Sequence, residues 1–338
     1  MPGFDLLIAN LIQPIILAFI LGAIAGFFRS ELELPAAVIS LLVIYLLFSI
    51  GLEGRRELAQ ADLGGLMPLI GLTLLMVVAI PLLVYSVTRL LGRFDISNAA
   101  ALAAHYGSVS TATFFSSLTL SHRHGHTAMG TPAGGYMVAM VALMEFAVIF
   151  SLLIARVAMA REMAASNQAS RNQIRIGELL LDTLRGRGII LLGGGMLIGF
   201  LTSDAQWQQI KPFYDDLFRG MLMLFLLEMG MTAARHIRAF REVGWFMLGF
   251  GTLMPVVNGI VGVTLAQLIG LDVGGSFVFG ALCASASFID APAACRASLP
   301  EANPGIYLTS SLGITLPFNL LLGLPLYYSY ALWLYRVI

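Results

Sequence analysis

The 338-residue chain carries little charge. Only 11% of its residues are Asp, Glu, Lys or Arg, where soluble domains carry about 25%. Its 19 basic and 19 acidic residues cancel, so no net field points to a nucleic acid or another highly charged partner. Cysteine is nearly missing. Cys283 and Cys295 are the only two, which argues against a disulfide framework and suits small packing residues in apolar sequence. Met1 to Asp5 lacks a basic n-region, so no cleavable signal is expected and the first apolar run is expected to span. No Lys-Ser/Thr follows Gly193-Gly194-Gly195, which excludes a phosphate-binding loop there.

What the chain does have is apolar sequence. Hydrophobic residues make up 58% and mean hydropathy is +0.87, values that place it in a bilayer. A helix needs about 20 residues to cross a hydrocarbon core of roughly 30 Å. Ten such runs can be read, near 5–28, 34–53, 64–91, 96–121, 132–160, 188–203, 212–233, 244–270, 274–298 and 304–336. The expected fold is therefore an all-α membrane protein of ten transmembrane helices. Positive charge orients it. Arg29, Arg89, Arg93, Arg156, Arg161, Arg171, Arg175, Arg185, Arg187, Arg235, Arg238, Arg241 and Arg296 share one side if the N-terminus is outside. Both termini are then expected outside, with the 161–187 loop in the cytoplasm.

The two halves resemble each other. Gly22 and Gly26-Phe27 match Gly195 and Gly199-Phe200; Ile50-Gly51-Leu52 matches Met229-Gly230-Met231; Gly65 matches Gly244. Ser108-Val109-Ser110 matches Ser285-Ala286-Ser287, and Pro132 with Tyr136 matches Pro304 with Tyr307. Each half holds five runs, an odd number, so the second repeat inserts upside down relative to the first, as in secondary transporters. The expected units are residues 1–160, a connecting loop at 161–187, and residues 188–338.

The fourth and ninth runs turn small and hydroxyl-rich in their middles, AALAAHYGSVSTATFFSSLTL at 100–120 and FGALCASASFIDAPAACRASLP at 279–300. A helix interrupted inside an apolar medium must line something polar, because every unsatisfied backbone group there is costly. Two discontinuous helices facing each other would present helix N-termini to an anion without any Lys or Arg. Their carbonyl ends and the hydroxyls of Ser108, Ser110, Thr111, Thr113, Ser285 and Ser287 would suit a small hard cation such as sodium. The competing reading is structural: such hydroxyls bond back to the preceding turn, and small residues pack helices closely.

Asp290 is an ionisable residue at depth and hence a candidate cation ligand or proton carrier; a capping Asp ahead of Pro292 is the plainer alternative. Glu145 reads as either a second polar partner or a packed carboxyl. Glu228 reads as structural and close to a membrane surface. His122, His124 and His126 read as a solvated loop rather than a transition-metal site. The GxxxG pairs read as close helix contacts. ELLLDTLRGR at 178–187 reads as a surface-lying turn or two in a basic connector.

HYGSVSTATF (105–114), SASFIDAPAACRASLPEANPGIYLT (285–309) and ITLPFNLLLGLPLY (314–327) resemble the sodium-dependent bicarbonate transporters of the cyanobacterial SbtA type, over essentially the whole chain. The resemblance implies an inner-membrane symporter, not an enzyme, with a core domain (about 64–160 and 244–338) and a gate domain (about 1–63 and 188–243). It implies a homotrimer, bicarbonate between the broken helices with sodium beside it as coupling ion, and no organic cofactor. Gly107, Ser108, Ser110, Ser285 and Ser287 would hold the substrate; Thr111, Thr113 and Asp290 suit the coupling ion. A small PII-like regulator binds such proteins from the cytoplasm. The chain departs from that pattern at Asp290 and Cys295, where small or apolar residues are usual. A carboxylate beside an anion site repels the anion unless it holds a cation or a proton. That leaves room for a sodium/proton antiporter or organic-acid carrier working through Asp290, and more remotely for an intramembrane enzyme pairing Asp290 with Glu145.

Overall fold

The computed structural model describes residues 12–58, 63–123, 132–165, 185, 187–237, 240–288 and 290–337. Among these the chain is helical, with no strand. In order come α1 (Pro14–Phe27), α2 (Ala36–Leu58), α3 (Leu63–Leu90), α4 (Ile96–Gly107), α5 (Thr111–Arg123), α6 (Pro132–Met144) and α7 (Ala147–Ala165). The second half holds α8 (Arg187–Leu201), α9 (Asp204–Lys211), α10 (Phe218–Ile237), α11 (Phe240–Leu268), α12 (Val273–Cys283), α13 (Asp290–Ser298) and α14 (Pro304–Leu308), ending in α15 (Leu316–Phe318) and α16 (Leu324–Val337). Among the described residues four stretches are long and apolar enough to cross a membrane: Met67–Leu90, Asp204–Arg235, Gly244–Leu268 and Pro304–Val337. Shorter apolar helices include Pro14–Phe27, Ala36–Ser49, Ala147–Met159 and Val273–Cys283.

Polarity is distributed as a bilayer demands. Leu17, Leu21, Leu74, Leu75, Leu197 and Leu253 are exposed, whereas His105, Ser108, Thr113, Ser285, Thr315 and Asn319 are buried. Apolar side chains outside meet lipid tails, and polar ones inside must find one another.

Both expected breaks are present. α4 stops because Ser108 takes an extended conformation (φ −85°, ψ 175°), and α5 resumes at Thr111. α12 stops at Cys283 and α13 resumes at Asp290. The leading arm of each is capped alike. Asp95 accepts from the Asn98 N–H, and Asp272 accepts from the Gly275 N–H, both at 2.8 Å. Each cap satisfies an N–H that the helix itself leaves open. Asp95→Ala and Asp272→Ala should each cost about 1 kcal/mol, read as a lowered midpoint in thermal unfolding of the detergent-purified protein.

The helices depart from the ten simple runs in three places. The fifth run is interrupted at Glu145-Phe146, between α6 and α7. The seventh starts earlier than its apolar sequence suggests. Ser203 and Gln206 form a capping box ahead of α9, and Pro212 opens a π-helical segment, Pro212–Asp216, instead of stopping the chain. Proline inside a helical stretch cannot donate its backbone bond, and the helix passes through it here by widening to the π form. The last run contains two π-helical segments, Thr309–Thr315 and Asn319–Gly323, on either side of α15; such bulges often accompany functional sites. α11 is kinked at Gly244, whose φ of +72° suits a residue without Cβ.

α1 lies on α10 and α2 on α8; α4 lies on α3 and α7, and α12 on α11 and α16, with α2 also meeting α6 and α10 meeting the Thr309–Thr315 segment. The first two pairs meet through glycine. A Cβ at Gly22 would fall 1.9 Å from Leu227 O, one at Gly230 2.0 Å from Phe19 O, and one at Gly195 2.9 Å from Phe48 O. These are backbone-to-backbone approaches of the kind the GxxxG pairs suggest.

Candidate functional site

The two breaks cross and bond to each other. The Ser110 N–H donates to Ser285 Oγ at 2.9 Å. The Ser287 N–H donates to the His105 carbonyl at 2.7 Å. Ser108, Ser110, Ser285 and Ser287 are thereby brought together, all buried. In an apolar interior these exchanged bonds fix how the two segments sit, because each N–H has no water to turn to.

A hydroxyl has one proton and two lone pairs, and the contacts show where each proton goes. Ser108 donates to Glu145 Oε2 at 2.8 Å, and Ser285 donates to the Leu282 carbonyl at 2.8 Å. Both therefore present only lone pairs to their remaining neighbours. Ser110 Oγ instead accepts from the Thr113 N–H at 3.3 Å, and Ser287 Oγ accepts from the Ala291 N–H at 3.4 Å. Their protons remain available. Thr113 Oγ1 is buried and has no hydrogen-bond partner among the described residues. Thr111 is half-buried at the start of α5. Gly107 has a packing reason to lack a side chain, since a Cβ there would fall 2.5 Å from Pro81 Cγ and 3.0 Å from Ala147 Cβ. Asp290 opens α13; its side chain lies outside what the structure describes, as do His124, His126 and most of the 161–187 loop.

Two side chains hold the breaks from behind. Glu145, buried at the interruption between α6 and α7, takes the Ser108 proton. Asn319 Nδ2 donates to the Ala284 carbonyl at 2.8 Å, and Tyr327 OH donates to Asn319 Oδ1 at 3.0 Å. One break is thus held from the fifth run and the other from the tenth. A third contact ties α4 to the last run. Thr315 Oγ1 donates to the Gly251 carbonyl at 2.7 Å, so Tyr106 OH donates to Thr315 and Ser310 donates to Tyr106, each at 2.6 Å.

Asn319 and Tyr106 were not singled out by sequence reasoning, although both lie inside the motifs HYGSVSTATF and ITLPFNLLLGLPLY. Cys283 and Cys295 are buried free thiols, and Cys295 Sγ lies 4.0 Å from His105 Nδ1. Glu228 is 3% exposed, midway along α10, and lines a cavity of about 410 Å³. That cavity lies between α2 and α10 and reaches Phe288 of the second break and Leu312 of the last run.

A family model described as the Na+-dependent bicarbonate transporter superfamily matches residues 14–332. No match to the chain was found among curated proteins.

Proposed function

The chain belongs to the Na+-dependent bicarbonate transporter superfamily, and from that premise we propose that it performs sodium-coupled symport of bicarbonate, or a similar small anion, by alternating access. The family is one of transporters, not of enzymes. The observation that carries the reading is the mutual bonding of two buried helix breaks, Ser110 N–H to Ser285 Oγ and Ser287 N–H to the His105 carbonyl. Such a crossing offers an anion two helix N-termini and a cation a set of oxygens at one place.

The proton positions divide the labour among the residues. Ser110 and Ser287 keep a proton to donate and suit the anion, together with the backbone around Gly107 and the starts of α5 and α13. Ser108 and Ser285 offer lone pairs and suit sodium, beside Thr113 with its unpartnered Oγ1, Thr111 and Asp290. Glu145 sits behind Ser108 and takes its proton, keeping that hydroxyl's lone pairs for the ion.

The same reading takes the chain as ten spans in two inverted repeats. It is supported by Gly22 and Gly230 each packing on the other helix's backbone across α1 and α10, as Gly195 packs on Gly51 across α8 and α2, and by the paired caps Asp95 and Asp272. α1, α2, α8 and α10 would form the gate, and α3–α7 with α11–α16 the core that carries the site past it. The Arg distribution supports an inner-membrane orientation with both termini outside. The family resemblance supports a homotrimer with a PII-like regulator docking on the 161–187 loop.

Labelled bicarbonate uptake into proteoliposomes tests the reading. A sodium gradient should drive uptake. Ser108→Ala should raise the sodium concentration for half-maximal uptake, and Ser287→Ala that for bicarbonate, each by about tenfold, the worth of one hydrogen bond to a charged group. Uptake indifferent to sodium would overturn the coupling, and wild-type curves for both variants would remove the site assignment. Proton release on sodium addition, abolished by Asp290→Asn, would favour exchange through Asp290 instead.

A further inference from the structure

The Glu228 carboxylate serves no contact the crossing needs. Its Oε1 accepts from Thr232 Oγ1 at 3.0 Å. Its Oε2 is buried and has no hydrogen-bond partner among the described residues. The cavity beside it is lined by Ser40 of α2 and by Thr232, with apolar Ile39, Val43, Phe225 and Phe288 around them, and among the described residues by no Lys, Arg or His. A buried carboxylate oxygen with no donor among the described residues is costly, and a cation resolves that cost directly.

We propose that this cavity is a binding site for a monovalent cation, held by Glu228 with the Thr232 hydroxyl oxygen beside it. Thr232 gives its proton to Glu228, so its own lone pairs remain for the ion. One carboxylate with neutral oxygens suits a singly charged ion; a divalent one collects several carboxylates. The halves of the chain are not alike here. Aligning Gly51 with Gly230 places Ser49 opposite Glu228, so the carboxylate belongs to one repeat only. The cavity touches the second break through Phe288. On the reading that the substrate is an anion, a bare Glu228 repels it from the side of the second break that the cavity touches, and a bound cation removes the repulsion. The cation would therefore bind before the anion.

Equilibrium binding of radioactive sodium to the purified protein in detergent, with bicarbonate absent, tests the site without assuming the substrate. Glu228→Gln should bind one sodium ion fewer per chain than wild type. Thr232→Val should bind that ion about tenfold more weakly, the loss of one bond to a charged group. Equal stoichiometry and affinity in Glu228→Gln would overturn the site. Should that variant fail to fold, an unchanged affinity in Thr232→Val overturns it equally. Sodium-driven uptake with no change in binding in either variant would sink this inference and leave the symport reading standing.

Discussion

Gly230→Ala is expected to lower the thermal midpoint and the yield of folded protein sharply, and Gly22→Ala to do the same. The added methyl of the first would sit 2.0 Å from Phe19 O and 2.7 Å from Ala23 N; that of the second, 1.9 Å from Leu227 O. All three obstacles are backbone atoms, so no rotamer change relieves the clash. α1 and α10 must separate along their shared seam, and in a bilayer that seam is held mainly by close van der Waals packing and not by exclusion of water. Overpacking a tight site costs about 1–3 kcal/mol and sometimes more; a backbone-to-backbone contact belongs at the upper end. That is a large part of a typical stability of about 5–15 kcal/mol. The control lies in the same helix. Gly220 has no atom within 4 Å of a built Cβ, so Gly220→Ala should be neutral or stabilising by up to about 1 kcal/mol. Yield of monodisperse protein and thermal midpoint in detergent read both effects. Gly230→Ala melting with wild type would show that α1 and α10 are not in contact at Gly230.

Much of this arrangement was legible because it rests on chain-local signals. A run of apolar residues marks a helix, and Gly22, Gly26 and Gly195 mark where helices approach. The Ser-rich middles at 108–110 and 285–287 mark where helices stop. The caps Asp95 and Asp272 precede those serines by the same number of residues, a regularity available in the sequence once the serines are aligned. Glu145 was harder, because VALMEFAVIF contains no Gly or Pro to announce an interruption. The turn there goes with a long-range partner, Ser108, and such partners are not encoded locally. The run read from residue 212 begins earlier, since the capped segment Asp204–Lys211 precedes Pro212 and runs on through the π-helical turn. The burial of Glu228 follows from packing of α10 against α1 and α2, which no run of residues records. The Asn319 and Tyr106 contacts are likewise tertiary: Asn319 reaches 35 residues back to Ala284, and Tyr106 reaches across to Ser310 and Thr315 in the other repeat.

Glu145 should be the most sensitive side chain in the transport assay. Glu145→Ala removes the acceptor for the Ser108 proton in a fully enclosed position. A hydrogen bond to a charged group is worth about 1.5–3 kcal/mol, and an orphaned buried hydroxyl adds a cost of its own. Together these imply a loss of roughly 10² in sodium-driven uptake, since every 1.4 kcal/mol is about tenfold. Glu145→Gln separates the two contributions. Its amide oxygen can still accept from Ser108, keeping the end of α4 and the direction of that hydroxyl, while the negative charge is gone. If the charge counters sodium at the crossing, Gln should bring a higher sodium requirement with little change in melting temperature. If only the hydrogen bond matters, Gln should transport like wild type and Ala alone should fail. Full uptake in Glu145→Ala would detach this carboxylate from transport altogether. The distinction matters because Ser108 can serve sodium only while its proton points away from the ion, and Glu145 is the group that holds it there.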